Sequence, residues 1–121
     1  MLNKPTLVIG ASSNPARYSH FAIYSLRKNG HDVFALAKKA GQVGDVIIQT
    51  DFPDKADIHT VTMYIGMQHQ KEYYQPILSL KPTRVIFNPG TENDELYRML
   101  EKSGIEVVEA CTLVMLSTGQ Y

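Results

Sequence analysis

The chain has 121 residues, 44% of them apolar, with 12 Lys plus Arg balanced by 12 Asp plus Glu. That is enough for one domain over residues 1–121 with a proper core, and too little for two. Zero formal charge leaves no basic footprint for nucleic acid, and the single Cys excludes an internal disulfide framework or a Cys-based zinc cluster.

No apolar run nears the roughly 20 residues a spanning helix needs, and Met1 to Thr6 carries no secretory pattern. The reading is a soluble, cytoplasmic protein with no membrane partner.

Thr6 to Ile9 is a short apolar strand that ends at Gly10. From Pro15 to Asn29 the pattern turns helical, with Tyr18, Phe21, Ala22, Ser25 and Leu26 on one stripe. Asn14 suits the N-cap, Pro15 the first helical position and Gly30 the stop. Asp32 to Ala37 reads as the second strand, Gly41 to Asp45 as a loop, and Val46 to Ile48 as a short edge strand. Phe52 to Asp57 is loop or a single helical turn. Thr60 to Ile65 alternates β-branched and large residues and is a strand. A helix follows from Gln68 to Leu80 with Tyr74, Ile77 and Leu78 inward; Pro76 must kink it or sit in its first turn. Arg84 to Phe87 is a strand, and Glu92 to Ser103 a helix with Leu96, Met99 and Leu100 inward. Ile105 to Val108 is the last strand, before an apolar tail from Leu113 to Leu116.

This alternation predicts an α/β fold: a Rossmann-like, doubly wound, mostly parallel sheet of 5–6 strands with helices on both faces. Ligands in such sheets bind beyond the carboxyl ends of the strands, where strand order reverses. Four loops qualify: Gly10 to Arg17, Lys38 to Gly44, Ile65 to His69, and Asn88 to Asn93.

The first loop, Gly10-Ala11-Ser12-Ser13-Asn14-Pro15-Ala16-Arg17, opens a helix. Its amides and the helix dipole attract phosphate, its small side chains admit a ligand to the backbone, and Arg17 supplies a cation. Tyr18 is placed to lie against that ligand. The loop keeps only the first glycine of the dinucleotide fingerprint, with Ser12 and Pro15 in the other two places. A capped turn with no ligand is the plain alternative. Where an NAD site wants an acid after the second strand, this chain has Lys38 and Lys39. Cations there favour a phosphorylated ribose, as in NADP or coenzyme A; the alternative is two solvated lysines. Asn88-Pro89-Gly90-Thr91-Glu92-Asn93 is a further strand-to-helix turn, with Thr91 to Asp94 resembling a capping box and Gly90 leaving room for a ligand.

Cys111 as a nucleophile needs a base beside it, and His20, His31, His59 and His69 are scattered, without metal-ligand spacing. A buried thiol is the simpler reading.

The chain resembles the small single-domain CoA-binding proteins, similar to the N-terminal domain of the succinyl-CoA synthetase α subunit. The resemblance runs through Gly10-Ala11-Ser12, Asn14-Pro15 and Arg17, Gly30-His31-Asp32-Val33, Asn88 to Asn93, and Gly104-Ile105-Glu106-Val107-Val108 on to Cys111. It implies a Rossmann-like module for coenzyme A or an acyl-CoA. The first loop would hold the pyrophosphate, Lys38 would meet the ribose phosphate, and Ile65 and Gly66 would lie along the ligand. Members commonly carry Asn-Pro after the second strand, where this chain has Leu36-Ala37-Lys38. The synthetases' second domain, with its phosphorylated His and ATP-grasp partner, has no counterpart here, so their chemistry is not carried over. The expectation is a non-enzymatic carrier or sensor with a small-molecule partner. NADP-dependent oxidoreduction and a Cys111 mixed disulfide with the CoA thiol are the alternatives. Leu113 to Leu116 is the candidate contact for another chain, a second copy included.

Overall fold

The computed structural model describes residues 2–54 and 57–121. Part of the stretch expected as loop or helical turn, Phe52 to Asp57, lies outside the described residues. Seven strands form one sheet: β1 (Thr6–Ile9), β2 (Val33–Leu36), β3 (Gly41–Val43), β4 (Val46–Gln49), β5 (Thr60–Met63), β6 (Arg84–Phe87) and β7 (Glu106–Glu109). Their order is β3-β4-β2-β1-β5-β6-β7. Every pairing is parallel except β3 with β4. The helices are α1 (Tyr18–Lys28), α2 (Tyr74–Leu80), α3 (Asp94–Lys102) and α4 (Thr112–Ser117). The fold is thus the α/β, doubly wound sheet read from the pattern, with one strand more than the upper count.

From β1 the chain winds one way to β2; from β5 it winds the other way to β6 and β7. Right-handed crossovers running in opposite directions put their helices on opposite faces. Alternate residues of one strand therefore enter two cores. Leu7 and Ile9 join Ile77, Leu96 and Leu100 on the α2–α3 side. Val8 joins Ile23, Leu26 and Leu116 on the α1–α4 side. The tail considered for a second copy forms α4, and Leu116 is buried in the chain's own core.

Local chemistry corrects several expected boundaries. Gly41 to Asp45 is not a plain loop: β3 pairs back on β4 around Gly44, whose φ of +58° suits so tight a reversal. The strand at Val46 is therefore covered by β3 rather than left at the edge. α1 begins at Tyr18, three residues after Pro15, because Asn14 closes a separate turn. Its carbonyl accepts from Arg17 N at 3.0 Å and its side chain from Ala16 N at 3.0 Å. The buried stripe of α1 is Ser19, Ala22, Ile23 and Leu26, one residue out of phase with the expected one. Both stripes share Ala22 and Leu26. The small Ser19, not Tyr18, faces inward, and Tyr18 and Phe21 are exposed.

The expected helix from Gln68 is two 3₁₀ turns, Met67–His69 and Lys71–Tyr73, before α2. Pro76 falls in the first turn of α2, where its missing N–H costs nothing. For α3 the cap is Asn93, whose side chain accepts from Leu96 N, not the Thr91 box. The last strand runs one residue later than expected, and its outer glutamates face solvent at the sheet edge.

Candidate functional site

β1 lies between β2 and β5, and the chain leaves these strands in opposite directions. The loops therefore part above β1 and leave a crevice at the carboxyl end of the sheet. It opens into a cleft of about 700 Å³ lined by Gly10, Ser12, Arg17, Tyr18 and Ser19 on one wall. Tyr64, Ile65, Asn88, Pro89, Thr91, Cys111 and Leu113 line the rest.

The first wall is held against its neighbours by backbone. Gly10 N and Ala11 N donate to Leu36 O at 2.9 and 3.1 Å, and Tyr64 N donates to Ile9 O at 2.8 Å. Gly10 has φ +91°, and a Cβ there would stand 2.5 Å from Ile65 Cγ2 and 2.9 Å from the Tyr64 carbonyl carbon. Its lack of a side chain thus serves the close crossing of two loops. Ser12 Oγ accepts from Asn14 N at 3.1 Å, and His20 Nδ1 lies 3.3 Å from Ser12 O. Among the described residues no acceptor meets the amides of Ser12, Ser13, Tyr18 or Ser19. Arg17, the N-cap of α1, makes no ion pair among them either. The α1 end of the cleft is electropositive and unspent.

The opposite wall is built on Asn88, which is buried. Its Nδ2 donates to Thr62 Oγ1 at 2.7 Å and to Met63 O at 2.8 Å, and its Oδ1 accepts from Thr112 N at 2.8 Å. One side chain therefore ties β5, β6 and the start of α4 together. After it, Pro89 and Gly90 make a turn in which Thr91 N donates to Asn88 O at 3.0 Å. Gly90 takes φ +92°, as the third residue of such a Pro-Gly turn requires.

Gln70, wholly buried, fixes the rim: its Nε2 donates to Ile65 O at 2.9 Å and to Thr91 O at 2.7 Å. Asn93 Nδ2 in turn donates to Gln70 Oε1 at 2.9 Å and to the Tyr74 hydroxyl at 2.8 Å. Tyr64 lines the cleft, and its hydroxyl is buried. Burial pushes that phenol well above its ordinary pKa, with the Cys111 sulfur adding in the same direction. Cys111 is half-buried at the N-cap of α4.

Of the residues singled out in the sequence, the structure gathers Gly10, Ser12, Arg17, Tyr18, Ile65, Asn88 and Pro89 at the cleft. Ala11 is buried in the α1-side core. Ser13, Asn14 and Pro15 are exposed on the same loop, and Gly66 and Gly90 stand beside the cleft loops without lining it. Lys38 and Lys39 lie beyond β2, with the Lys38 ammonium 2.5 Å from Glu72 Oε1. Ser19, Tyr64, Thr91, Cys111 and Leu113 also line the cleft. The rule that selected the loops after earlier strands, extended to the loop after β7, picks out Cys111, and Leu113 follows in the first turn of α4.

The description of a CoA binding domain matches residues 4–117. The chain belongs to the CoA binding domain family. A crystal structure of a protein described as uncharacterized shares 45% identity over the whole of both chains, with a TM-score of 0.96. A hypothetical protein from Pyrococcus horikoshii OT3 superposes with a TM-score of 0.86 at 22% identity, over 96% of this chain and 83% of its own, which shows the fold alone. A thioredoxin-like protein of Haemophilus influenzae is 33% identical over 90 residues, 73% of this chain and 51% of that protein. The chain thus spans about half the length of that curated relative. In CoA binding domain terms, residues 4–117 take in every loop that lines the cleft. No helix among the described residues is long and apolar enough to cross a membrane.

Proposed function

We propose that this chain binds coenzyme A or an acyl-CoA in the cleft above β1, as a carrier or sensor rather than an enzyme. The observation that carries this reading is the α1 end of the cleft. There the amides of Ser12, Tyr18 and Ser19, which meet no acceptor among the described residues, share the cleft lining with Arg17. Such a group of donors, with the helix dipole behind it, suits a pyrophosphate. The exposed Tyr18 ring at the rim offers a face to a planar base, and Ile65, Pro89 and Leu113 supply apolar wall for an extended thiol-bearing arm. Family membership supports the same ligand class. When bound, the cofactor would supply a thiol or thioester; the residues described here grip, orient and shield it.

Native mass spectrometry of freshly purified protein, followed by calorimetric titration with CoA and NADPH, tests the proposal. A CoA-sized adduct, or saturable CoA binding with NADPH inert, is the expected result. NADPH binding without CoA binding would sink it.

One observation favours a second reading: Cys111 is half-buried in the wall of the same cleft. There its thiolate could attack a CoA disulfide. A Cys111–CoA disulfide forms, the CoA–CoA bond breaks, and one CoA leaves as the thiolate. Incubation with CoA disulfide would then add one CoA mass to Cys111, and a Cys111→Ser variant would take up none.

A further inference from the structure

The contact between Lys38 and Glu72 joins the loop after β2 to the chain that follows β5. Lys38 stands two residues beyond β2, and Glu72 lies in the second 3₁₀ turn, on the strap of chain that follows β5. β1 lies between those two strands, so the ion pair links loops that leave the sheet on either side of it. Lys38 Nζ also lies 5.9 Å from the centroid of the Tyr73 ring, which packs on the α2-side core. The hydrogen bond that Lys38 donates to Glu72 holds the Lys38 pKa above its ordinary value.

The two partners are not equally mobile. Glu72 sits two residues after Gln70, whose buried side chain pins the strap to Ile65 O and Thr91 O. Lys38 is on an exposed loop, and its side chain is 76% exposed on a flexible four-carbon stem. Lys38 lines no part of the cleft. The neighbouring Lys39 has no ion pair among the described residues. So one of the two cations at the end of β2 already carries an anion. A carboxylate on an ammonium is the same type of charge-assisted partner as a phosphate oxygen.

Building on the CoA reading, we propose that Glu72 is a specificity-determining residue that holds Lys38 in reserve and must be displaced by a phosphomonoester on the ligand's ribose. A ligand lacking that phosphate leaves the pair intact and gains nothing from Lys38. A ligand carrying it offers a dianion, which takes Lys38 from the singly charged carboxylate at the cost of the original pair.

The test is calorimetric titration of CoA and dephospho-CoA into wild type, Glu72→Gln, Lys38→Ala and the double variant. Both side chains are more than half exposed, so neither change threatens the fold. Glu72→Gln should tighten CoA by roughly two- to fivefold, the range an exposed ion pair commands, and leave dephospho-CoA unchanged. In the Lys38→Ala background the gain should vanish. An equal change for both ligands, no change for either, or a gain that survives loss of Lys38 overturns the proposal. Wild type that binds neither ligand removes the CoA reading together with this inference. Wild type that binds CoA beside an inert Glu72→Gln removes this inference alone.

Discussion

Arg17 caps α1 without spending its side chain, so its charge is available to the cleft. Arg17→Ala should weaken CoA binding by about 1–3 kcal/mol, the worth of a charge-assisted contact. Thermal stability should be unmoved, because no internal bond is lost. Calorimetry beside a thermal melt separates the two. Gly10 is the opposite case. A methyl group there meets the Tyr64 backbone at 2.9 Å with φ at +91°. Gly10→Ala should therefore destabilise the fold by at least about 2 kcal/mol, adding backbone strain to overpacking. A denaturant midpoint equal to wild type would show that the loops can part without cost. The sequence singled out both residues, but it did not separate their roles: ligand approach was the reading for Gly10, and loop crossing is what the structure displays. Residue type says what a side chain can do, while its neighbours decide which of those things it does.

The strap from Met67 to Tyr73 shows how one buried amide organises two loops. Gln70 is alone among the strap's side chains in being wholly buried, and its amide replaces backbone partners that the β5 and β6 exit loops lack. Gln70→Ala would leave Ile65 O, Thr91 O and the Asn93 amide short of partners. A loss of roughly 2–4 kcal/mol is expected from those buried groups. A weaker CoA affinity should accompany it, because Ile65 and Thr91 both line the cleft. Urea unfolding and ligand titration on the same variant check both halves. Elements with a strong period were legible: β6 matches the reading residue for residue, and α2 and α3 bury Ile77, Leu96 and Leu100 as expected. Elements without one were not. The β3–β4 hairpin has a three-residue first strand, too short to show alternation. The 3₁₀ strap shares the composition of a helix and is broken by the long-range demands on Gln70.

At the amino end of the sheet, opposite the cleft, Tyr121 folds its ring into the base of the molecule. Its hydroxyl shares a hydrogen bond with Thr6 Oγ1, the Arg84 Cζ lies 4.5 Å from its ring centroid, and the His31 ring lies 4.9 Å away. His31 Nδ1 accepts from Lys4 N at 3.0 Å, so the neutral ring carries its proton on Nε2. That Nε2 and Arg84 Nη2 are buried without hydrogen-bond partners among the described residues; the π face of Tyr121 is the electron-rich surface beside them. Burial lowers the His31 pKa, helped by Lys4, Arg84 and His59. Burial likewise lowers that of His59, helped by Arg84 and Lys4 and opposed by Glu106. Both rings thus take up a proton less readily in the fold than in the unfolded chain, where the ordinary value is 6.5. The stability they permit is complete above that value and is lost as pH falls through the lowered pKa values of the folded state. The melting temperature should drop as pH falls below about 6.5, and the drop should be smaller in a His31→Gln/His59→Gln variant. An identical drop in both proteins would place the acid sensitivity elsewhere.

The amino-acid sequence by itself determined the α/β class, the parallel strands and the family. Each of these rests on local pattern: apolar runs of strand length, helical stripes, and turn residues at the strand ends. The tertiary structure alone decided that Lys38 lies outside the cleft against Glu72, and that Cys111 and Tyr64 line the same cleft as Gly10 and Asn88. The order of strands in a sheet is set by how the crossovers pack, and packing joins residues far apart in the chain. Local periodicity carries no record of that choice.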